Sequence, residues 1–497
     1  MSKRISTRAK PGEKSPIAQY EPYTGPTPPI PQGVLRPFLP FLPHPDKTAP
    51  PQPPRPDLAP PPAGFTRTFH AAPAAYPKEL KQATGTASRL PSPFRKIELG
   101  ENATKEERSK RINAETIECI KQRTEATEWS LDEAKAAAPA GLWLAAERWR
   151  RDEPTGGVTL VCTHANGLHK EHWHPILHDI LSRPVAATEA FGTLAPLTGG
   201  QVTIDEIWLL DDTNHGASLD LNAGRLGPAQ SWVDDSRDVL NFVQHVLPRV
   251  TDDAEWHLRW GAATASGRPR AVIGMGHSFG ANALIQAAHA RPDLFAGLFL
   301  VDPMSPNHFV DHDAAVRNPV GSYWMVPAAI RRRDIWPSRE EAYKALRDSP
   351  FFQPWADSIF DLYISHGIVP VDYSKPDGEV TLATPSWCEG AVFCEPEGLG
   401  LGWAKLKSLQ VPAAFAMAGD ATATMGPEKT REMVWRAALS RNEKIVDAGH
   451  LVVQERPVDT ADSLWRFLST LSAGKWGASS EEIRAEYSAA APPRPRL

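Results

Sequence analysis

The chain carries little cysteine: four residues, Cys119, Cys162, Cys388 and Cys394, in a length of 497. Four cannot build a disulfide framework, and Cys388 and Cys394 lack the paired spacing of a zinc site, so a reducing compartment fits best. No run of 18 apolar residues occurs, which excludes a transmembrane helix. The basic stretch Met1 to Pro11 has no apolar segment of the kind that a secretory signal needs. Excess positive charge is missing too: 54 Lys plus Arg face 59 Asp plus Glu, a net charge of −5. Without a basic field nothing holds a phosphate backbone, so nucleic acid is not an expected partner. Neither G-x-G-x-x-G, a P-loop lysine, nor H-E-x-x-H is present, and no cofactor is expected.

Proline, by contrast, is abundant and uneven. Of 49 prolines, 19 fall between Pro11 and Pro62. Residues 1–65 therefore read as a disordered, proline-rich tail with no part in the chemistry. Residues 66–140 read as a partly helical extension, helix-favouring from Lys105 to Lys121. Beyond it, strand and helix signals alternate. Leu142 to Trp149 reads as a half-exposed strand; Val158 to Cys162, Glu206 to Leu210, Ala271 to Met275 and Gly297 to Val301 read as further strands. Helical patterns cover Trp232 to Leu247 and Ala281 to Ala290. The alternation pauses over 304–400, where Arg339 to Arg347 (with Ser338 as N-cap) and Trp355 to Ser365 are helical. It resumes at Pro412 to Met417 and Lys444 to Val446, and a helix spans Val458 to Leu471. Such alternation predicts an α/β fold, a mainly parallel sheet flanked by helices. Its core would be 141–303 and 401–475, with a lid insertion at 304–400 and a C-terminal tail at 476–497.

Gly276-His277-Ser278-Phe279-Gly280 matches G-x-S-x-G where a strand gives way to a helix, the setting of a strained nucleophile elbow. A serine nucleophile needs a base, and chain order places it after the acid. His450, in Asp447-Ala448-Gly449-His450, follows the last strand and suits that role. Two acids compete: Asp302, ending the strand after the elbow helix, and Asp420, after the penultimate strand. Spacing mildly favours Asp420. An oxyanion hole would take the N–H of Phe279 and, from the loop Thr163 to Leu168, that of Leu168. The histidines just beyond (His169, His172, His174, His178) read as an exposed helix start, and no metal site is expected.

Several separated blocks resemble the fungal toxin-biosynthesis α/β-hydrolases, a group that includes peroxisomal acyl-CoA hydrolases of secondary metabolism. They are Thr163 to Trp173 (THANGLHKEHW), Asn214 to Ser218 (NHGAS), Gly276 to Gly280, Leu300 to Pro303 (LVDP), Arg331 to Arg339 (RRRDIWPSR) and Gly449-His450. The resemblance spans about 140–470 and implies the α/β-hydrolase fold. It shifts the acid toward Asp302 and leaves Asp420 as the alternative. It also adds weight to Pro495-Arg496-Leu497 as a peroxisomal address read by an import receptor, with the cytoplasm as the other location. The expected activity is a serine esterase or thioesterase that cleaves an ester or acyl-thioester, such as an acyl-CoA, of a secondary-metabolite or lipid-like acyl group in a small-molecule substrate, through an acyl-enzyme. In the lid, Trp324, Phe351, Phe352, Trp355 and Tyr363 are candidates for an acyl pocket, and Arg331, Arg332 and Arg333 for phosphate contacts. A lipase or peptidase of the same fold, or a non-catalytic scaffold, are the alternatives; Ser in place of Asp at the elbow disfavours an epoxide hydrolase or dehalogenase.

Overall fold

The computed structural model describes residues 14–54, 58–87, 103–183, 203–262, 270–420 and 424–472. The 476–497 tail with its Pro495-Arg496-Leu497 ending lies outside them. Nine strands form one sheet: β1 (Ile17–Ala18), β2 (Phe65–Pro73), β3 (Trp143–Arg151), β4 (Val158–Thr163), β5 (Ile204–Leu210), β6 (Ala271–His277), β7 (Gly297–Val301), β8 (Ala413–Ala418) and β9 (Ser440–Ile445). Their order is β1-β9-β8-β7-β6-β4-β5-β3-β2. Strands β4 to β9 pair in parallel; β1, β2 and β3 run antiparallel to their neighbours.

Both faces of the parallel strands are covered, as side chains alternating with period two require when helices lie on either side. Leu298 and Leu300 of β7 face a core with Val161, Trp208, Phe415 and Met417. Phe299 and Val301, one residue out of step, face another with Leu160, Ile207, Met275 and Ala416. Helices Trp232–Asn241, Phe279–Ala290, Gly398–Leu406 and Pro427–Val434 supply the first core, His174–Ser182 and Pro457–Ser472 the second. Between β7 and β8 the chain adds short helices and a three-stranded antiparallel sheet of Ile335–Trp336, Ile368–Pro370 and Val380–Leu382. The small sheet left no periodic signal, because its strands are only two or three residues long. Ser338 caps Arg339–Arg347 as expected, its Oγ accepting from the Glu341 N–H at 3.2 Å.

Two expectations need correction. β3 is buried at seven of its nine positions rather than half-exposed. The charges that suggested exposure are paired inside: Glu147 accepts from Trp149 Nε1 at 2.7 Å and lies 3.1 Å from His174 Nε2, while Arg148 bonds Glu206. The leader is not a free tail either. From Ser15 it forms β1 on the edge of β9 and then crosses the helices. Phe38 lies beneath Lys405 and Phe41 beneath Arg237, and His44 Nε2 reaches Leu142 O at 2.9 Å at the head of β3. Proline-rich composition argues that a segment cannot build a core of its own. It does not argue against lying on a core that already exists, and prolines with φ preset near −65° lose little entropy in doing so.

Glu206 ties the sheet's far end together, accepting from Arg148 Nε at 2.7 Å and Arg270 Nε at 2.5 Å, with all three side chains buried. Removing it leaves two buried guanidinium groups short of their counter-charge. Glu206→Ala is therefore expected to lower stability by about 3–5 kcal/mol in urea unfolding monitored by circular dichroism.

Candidate active site

The side chains singled out by sequence converge where the parallel strands end, the edge at which open α/β sheets gather ligands. β6 runs straight into Ser278 and the helix Phe279–Ala290. Ser278 adopts φ 57°, ψ −116°, a conformation that L-residues avoid and that must be held from outside. Flanking glycines permit it. A Cβ at Gly276 would lie 2.7 Å from Ala281 Cα, and one at Gly280 would lie 2.5 Å from His164 O, so only glycine lets helix and neighbouring loop close on the turn. The Ser278 N–H donates to Val301 O at 2.9 Å, locking the elbow to β7.

The Ser278 hydroxyl lies 2.8 Å from His450 Nε2, and His450 Nδ1 lies 2.5 Å from Asp302 Oδ2. The other Asp302 oxygen accepts the Ala418 N–H at 3.1 Å, so both carboxylate oxygens are engaged. Ser278 and Asp302 are each 5% exposed. Asp420 is elsewhere: half-exposed, it pairs with Lys444 Nζ at 2.6 Å. Of the two acids, Asp302 is the one in contact with the histidine.

The oxyanion assignment is half corrected. The Leu168 N–H donates to Ala165 O at 3.1 Å, closing a turn in which Gly167 sits at φ 76°. That is the third position of a type II turn, which requires φ > 0, and the turn consumes the amide assigned to the oxyanion. The Gly167 N–H is used as well, donating to His215 Nε2 at 3.0 Å. Among the described residues no acceptor meets the N–H of Ala165, Asn166 or Phe279, and Phe279 opens a helix whose first amides have no intrahelical partner. His215 was missed as a site residue, although it stands in the Asn-His-Gly-Ala-Ser block. Its Nδ1 lies 2.5 Å from Asn214 Oδ1 and 3.3 Å from Asp212 Oδ2.

Of the histidines after the loop, His169, His172 and His174 are buried rather than exposed, and His178 is half-buried. His169 Nδ1 contacts Glu171 at 2.9 Å, Lys170 bridges Glu171 and Asp211, and His172 Nδ1 faces the Gln454 amide at 3.1 Å. Among the described residues, the donors close enough to share a metal are Asp212, Asp235 and Asp238. They line a cavity of about 30 Å³ behind Phe279 and Gly280. The Lys78 ammonium already sits on Asp238, and burial with the Asp212 charge pushes the Asp235 carboxyl well up. The Lys78 ammonium thus already supplies positive charge to this cluster.

Known proteins match this chain at the level of family and fold. The alpha/beta hydrolase family model matches residues 160–463. The chain belongs to the alpha/beta hydrolase family. It is 30% identical over 201 residues to the type I acyl-CoA thioesterase mpaH of Penicillium brevicompactum, which spans 39% of this chain and 36% of that protein. It is 29% identical over 163 residues to the peroxisomal membrane protein LPX1 of Saccharomyces cerevisiae, 33% of this chain and 35% of that one. The chain thus spans about a third of the length of these curated relatives. The crystal structure of the yeast peroxisomal alpha-beta-hydrolase Lpx1 superimposes with a TM-score of 0.53 at 17% identity, covering 86% of this chain and 97% of that one.

The segment between β7 and β8 contributes less to the site than expected. Trp324 is 61% and Phe351 53% exposed, while Phe352, Trp355 and Tyr363 pack in the segment's own core. Arg332 is committed to Glu389 and to Tyr363 Oη at 2.7 Å, and Arg331 and Arg333 are exposed. Glu389, also missed, clasps the turn: its carbonyl accepts from Asn166 Nδ2 at 3.0 Å. Next to the serine lies an apolar cluster of Trp232, Phe279, Met304 and Val392, with Leu399 and Met425 partly open.

Burial holds several imidazoles low: His277, also beside His450, near 3, and His70, His164 and His366 near 4, against an ordinary 6.5. Between about 4 and 6.5 the unfolded chain then binds more protons than the folded one. Stability is full above that window and falls as pH drops through it. Asp238 and Asp459, raised to about 6 mainly by burial, act in the opposite sense, as do the raised Asp235 and Glu79, but the lowered imidazoles, His44, His172 and His245 among them, outnumber these acids. The urea midpoint is therefore expected to be lower at pH 5 than at pH 7; an unchanged or higher midpoint would contradict it.

Proposed function

We propose that the protein is a serine hydrolase that cleaves an ester or acyl-thioester through an acyl-enzyme. The observation that carries this reading is the unbroken hydrogen-bonded line from Asp302 through His450 to Ser278 on a strained elbow. Ser278 Oγ attacks the acyl carbon while His450 Nε2 takes its proton. The proton then goes to the leaving alcohol or thiol, and water repeats the cycle to release the acid. Asp302 keeps Nδ1 protonated and steadies the imidazolium that forms. The oxyanion would meet the Phe279 N–H, aided by the helix N-terminus, with Asn166 or Ala165 as second donor now that Leu168 is engaged. The apolar cluster of Trp232, Met304, Leu399 and Met425 suits an acyl chain. Exposed Arg331 and Arg333 suit the phosphates of a thioester carrier, and the name of the Penicillium relative favours acyl-CoA as that carrier. A peroxisomal location belongs to the same reading, resting on the name of the yeast relative.

A fluorophosphonate probe is expected to label the protein, and Ser278→Ala to lose both labelling and about a thousandfold or more in kcat on activated esters. Full turnover by Ser278→Ala would sink the assignment. Asp302→Asn should cost on the order of 10³–10⁴ in kcat while Asp420→Asn stays near wild type; the reverse order would return the acid to Asp420. A panel of acyl-CoAs set against oxygen esters then decides the leaving group, since failure on every thioester removes that branch.

A further inference from the structure

We propose that the proline-rich leader is a strap whose Tyr20 positions the acid and base of the site, making residues 15–20 part of the working enzyme. The inference rests on the serine-hydrolase reading above. It starts from the polar contacts of residues 15–20, most of which fall on β9, on the turn before His450 and on the end of β8 beside Asp302. Ser15 N–H donates to the Asp459 carboxylate at 3.2 Å, and Ser15 Oγ accepts the Asp447 N–H at 2.9 Å. Pro16 O accepts the Val446 N–H at 3.0 Å, and Ile17 and Ala18 pair with Ile445 and Lys444. Apart from the one to Asp459, in the helix Pro457–Ser472, these bonds hold the strand end and turn that lead to His450.

Tyr20 then reaches the acid's side. Its backbone is pinned at both ends, N–H to Asn442 Oδ1 at 2.9 Å and carbonyl to Trp435 Nε1 at 3.1 Å. Its ring is buried, 3% exposed, under the Lys444 ammonium. The hydroxyl donates to Ala418 O at 2.9 Å. Ala418 is the residue whose N–H holds Asp302 Oδ1 at 3.1 Å, and the next amide, Gly419 N–H, donates to Ala448 O at 3.0 Å. A Cβ on Gly419 would lie 1.9 Å from Val446 O, so the chain after β8 and the chain before His450 cross in contact. Tyr20 sits on that crossing. Ring burial alone would be served equally by phenylalanine; the hydroxyl is what fixes the Ala418–Gly419 peptide, whose N–H holds Ala448 O before His450, and Ala418 itself carries the N–H that holds Asp302.

Tyr20→Phe isolates that hydroxyl. The expected result on a p-nitrophenyl ester is a fall in kcat of about five- to tenfold, the worth of one hydrogen bond, with KM and the thermal midpoint nearly unchanged. The fluorophosphonate labelling rate should fall in parallel. His44→Ala loosens the leader at an anchor far along it, on Leu142, and is expected to keep wild-type kcat. Ser15→Ala removes the acceptor for Asp447 and is expected to lower kcat in the same direction as Tyr20→Phe, which keeps the inference testable if one variant folds poorly. Wild-type kcat and labelling in both Tyr20→Phe and Ser15→Ala, or an equal loss in His44→Ala, would overturn the strap. A wild-type protein that the probe does not label at all would instead overturn the serine-hydrolase reading beneath it.

Discussion

His450 must meet two partners at once, Ser278 Oγ at 2.8 Å and Asp302 Oδ2 at 2.5 Å, and the three residues arrive from the ends of three strands. β6 and β7 are neighbours, so serine and acid are brought close by the sheet itself. The histidine has further to come, because β8 lies between β7 and β9. The chain after β9 has to turn back over the end of β8 to reach them. That crossing explains why Gly419 tolerates no side chain and why the Ala418 N–H faces Asp302. It also explains the fate of Asp420: one residue past the crossing, the chain has turned outward and its carboxylate finds Lys444.

Holding this geometry has a cost. Ser278 and Asp302 both adopt positive φ, 57° and 37°, at residues with side chains, each worth about 1–3 kcal/mol of strain. The compensation is local and identifiable. Ser278 N–H bonds Val301 O and Asp302 N–H bonds Ala416 O, both at 2.9 Å, so each strained residue is tied to the strand beside it. The loop after β4 is held in the same manner. Its Gly167 amide is fixed by His215, its Asn166 side chain by Glu389, and its turn by the Leu168 amide. What remains unpaired in that loop is what an oxyanion could use.

The legible features were those whose chemistry forces a residue type at short spacing. An elbow needs Gly276 and Gly280 for steric reasons, so the nucleophile showed itself, and the alternation of strand and helix followed from burial on both faces. The acid was ambiguous because residue spacing does not encode strand order: Asp420 is nearer to His450 in the chain, Asp302 nearer across the sheet. Leu168 looked available because turn closure by its own amide is invisible until Gly167 is seen at positive φ. Glu147, Arg148 and His172 were read as surface groups because their partners, among them Glu206, His174 and Gln454, come from distant segments. Composition says least about the leader, because lack of self-sufficiency in a segment is not lack of structure once a core exists for it to lie on.

The leader's attachment points sharpen that last lesson. The family match begins at residue 160, so β1, β2 and β3 all precede it. The superposition with the yeast hydrolase, by contrast, covers 86% of this chain, so the likeness of fold extends well beyond the matched segment. An N-terminal segment that merely decorated the surface could dock anywhere, and the middle of this one docks away from the site, with Phe38 and Phe41 against the helices, Arg36 on Glu128 and the Leu39 N–H on Glu79. Its beginning does not. Residues 15–20 form polar, directional bonds with the turn before His450 and with the strand end beside Asp302, and such bonds specify position in a way that apolar contact does not. A strap attached there couples the docking of the leader to the alignment of acid and base, whereas the same length of chain attached at Leu142 would couple it only to stability.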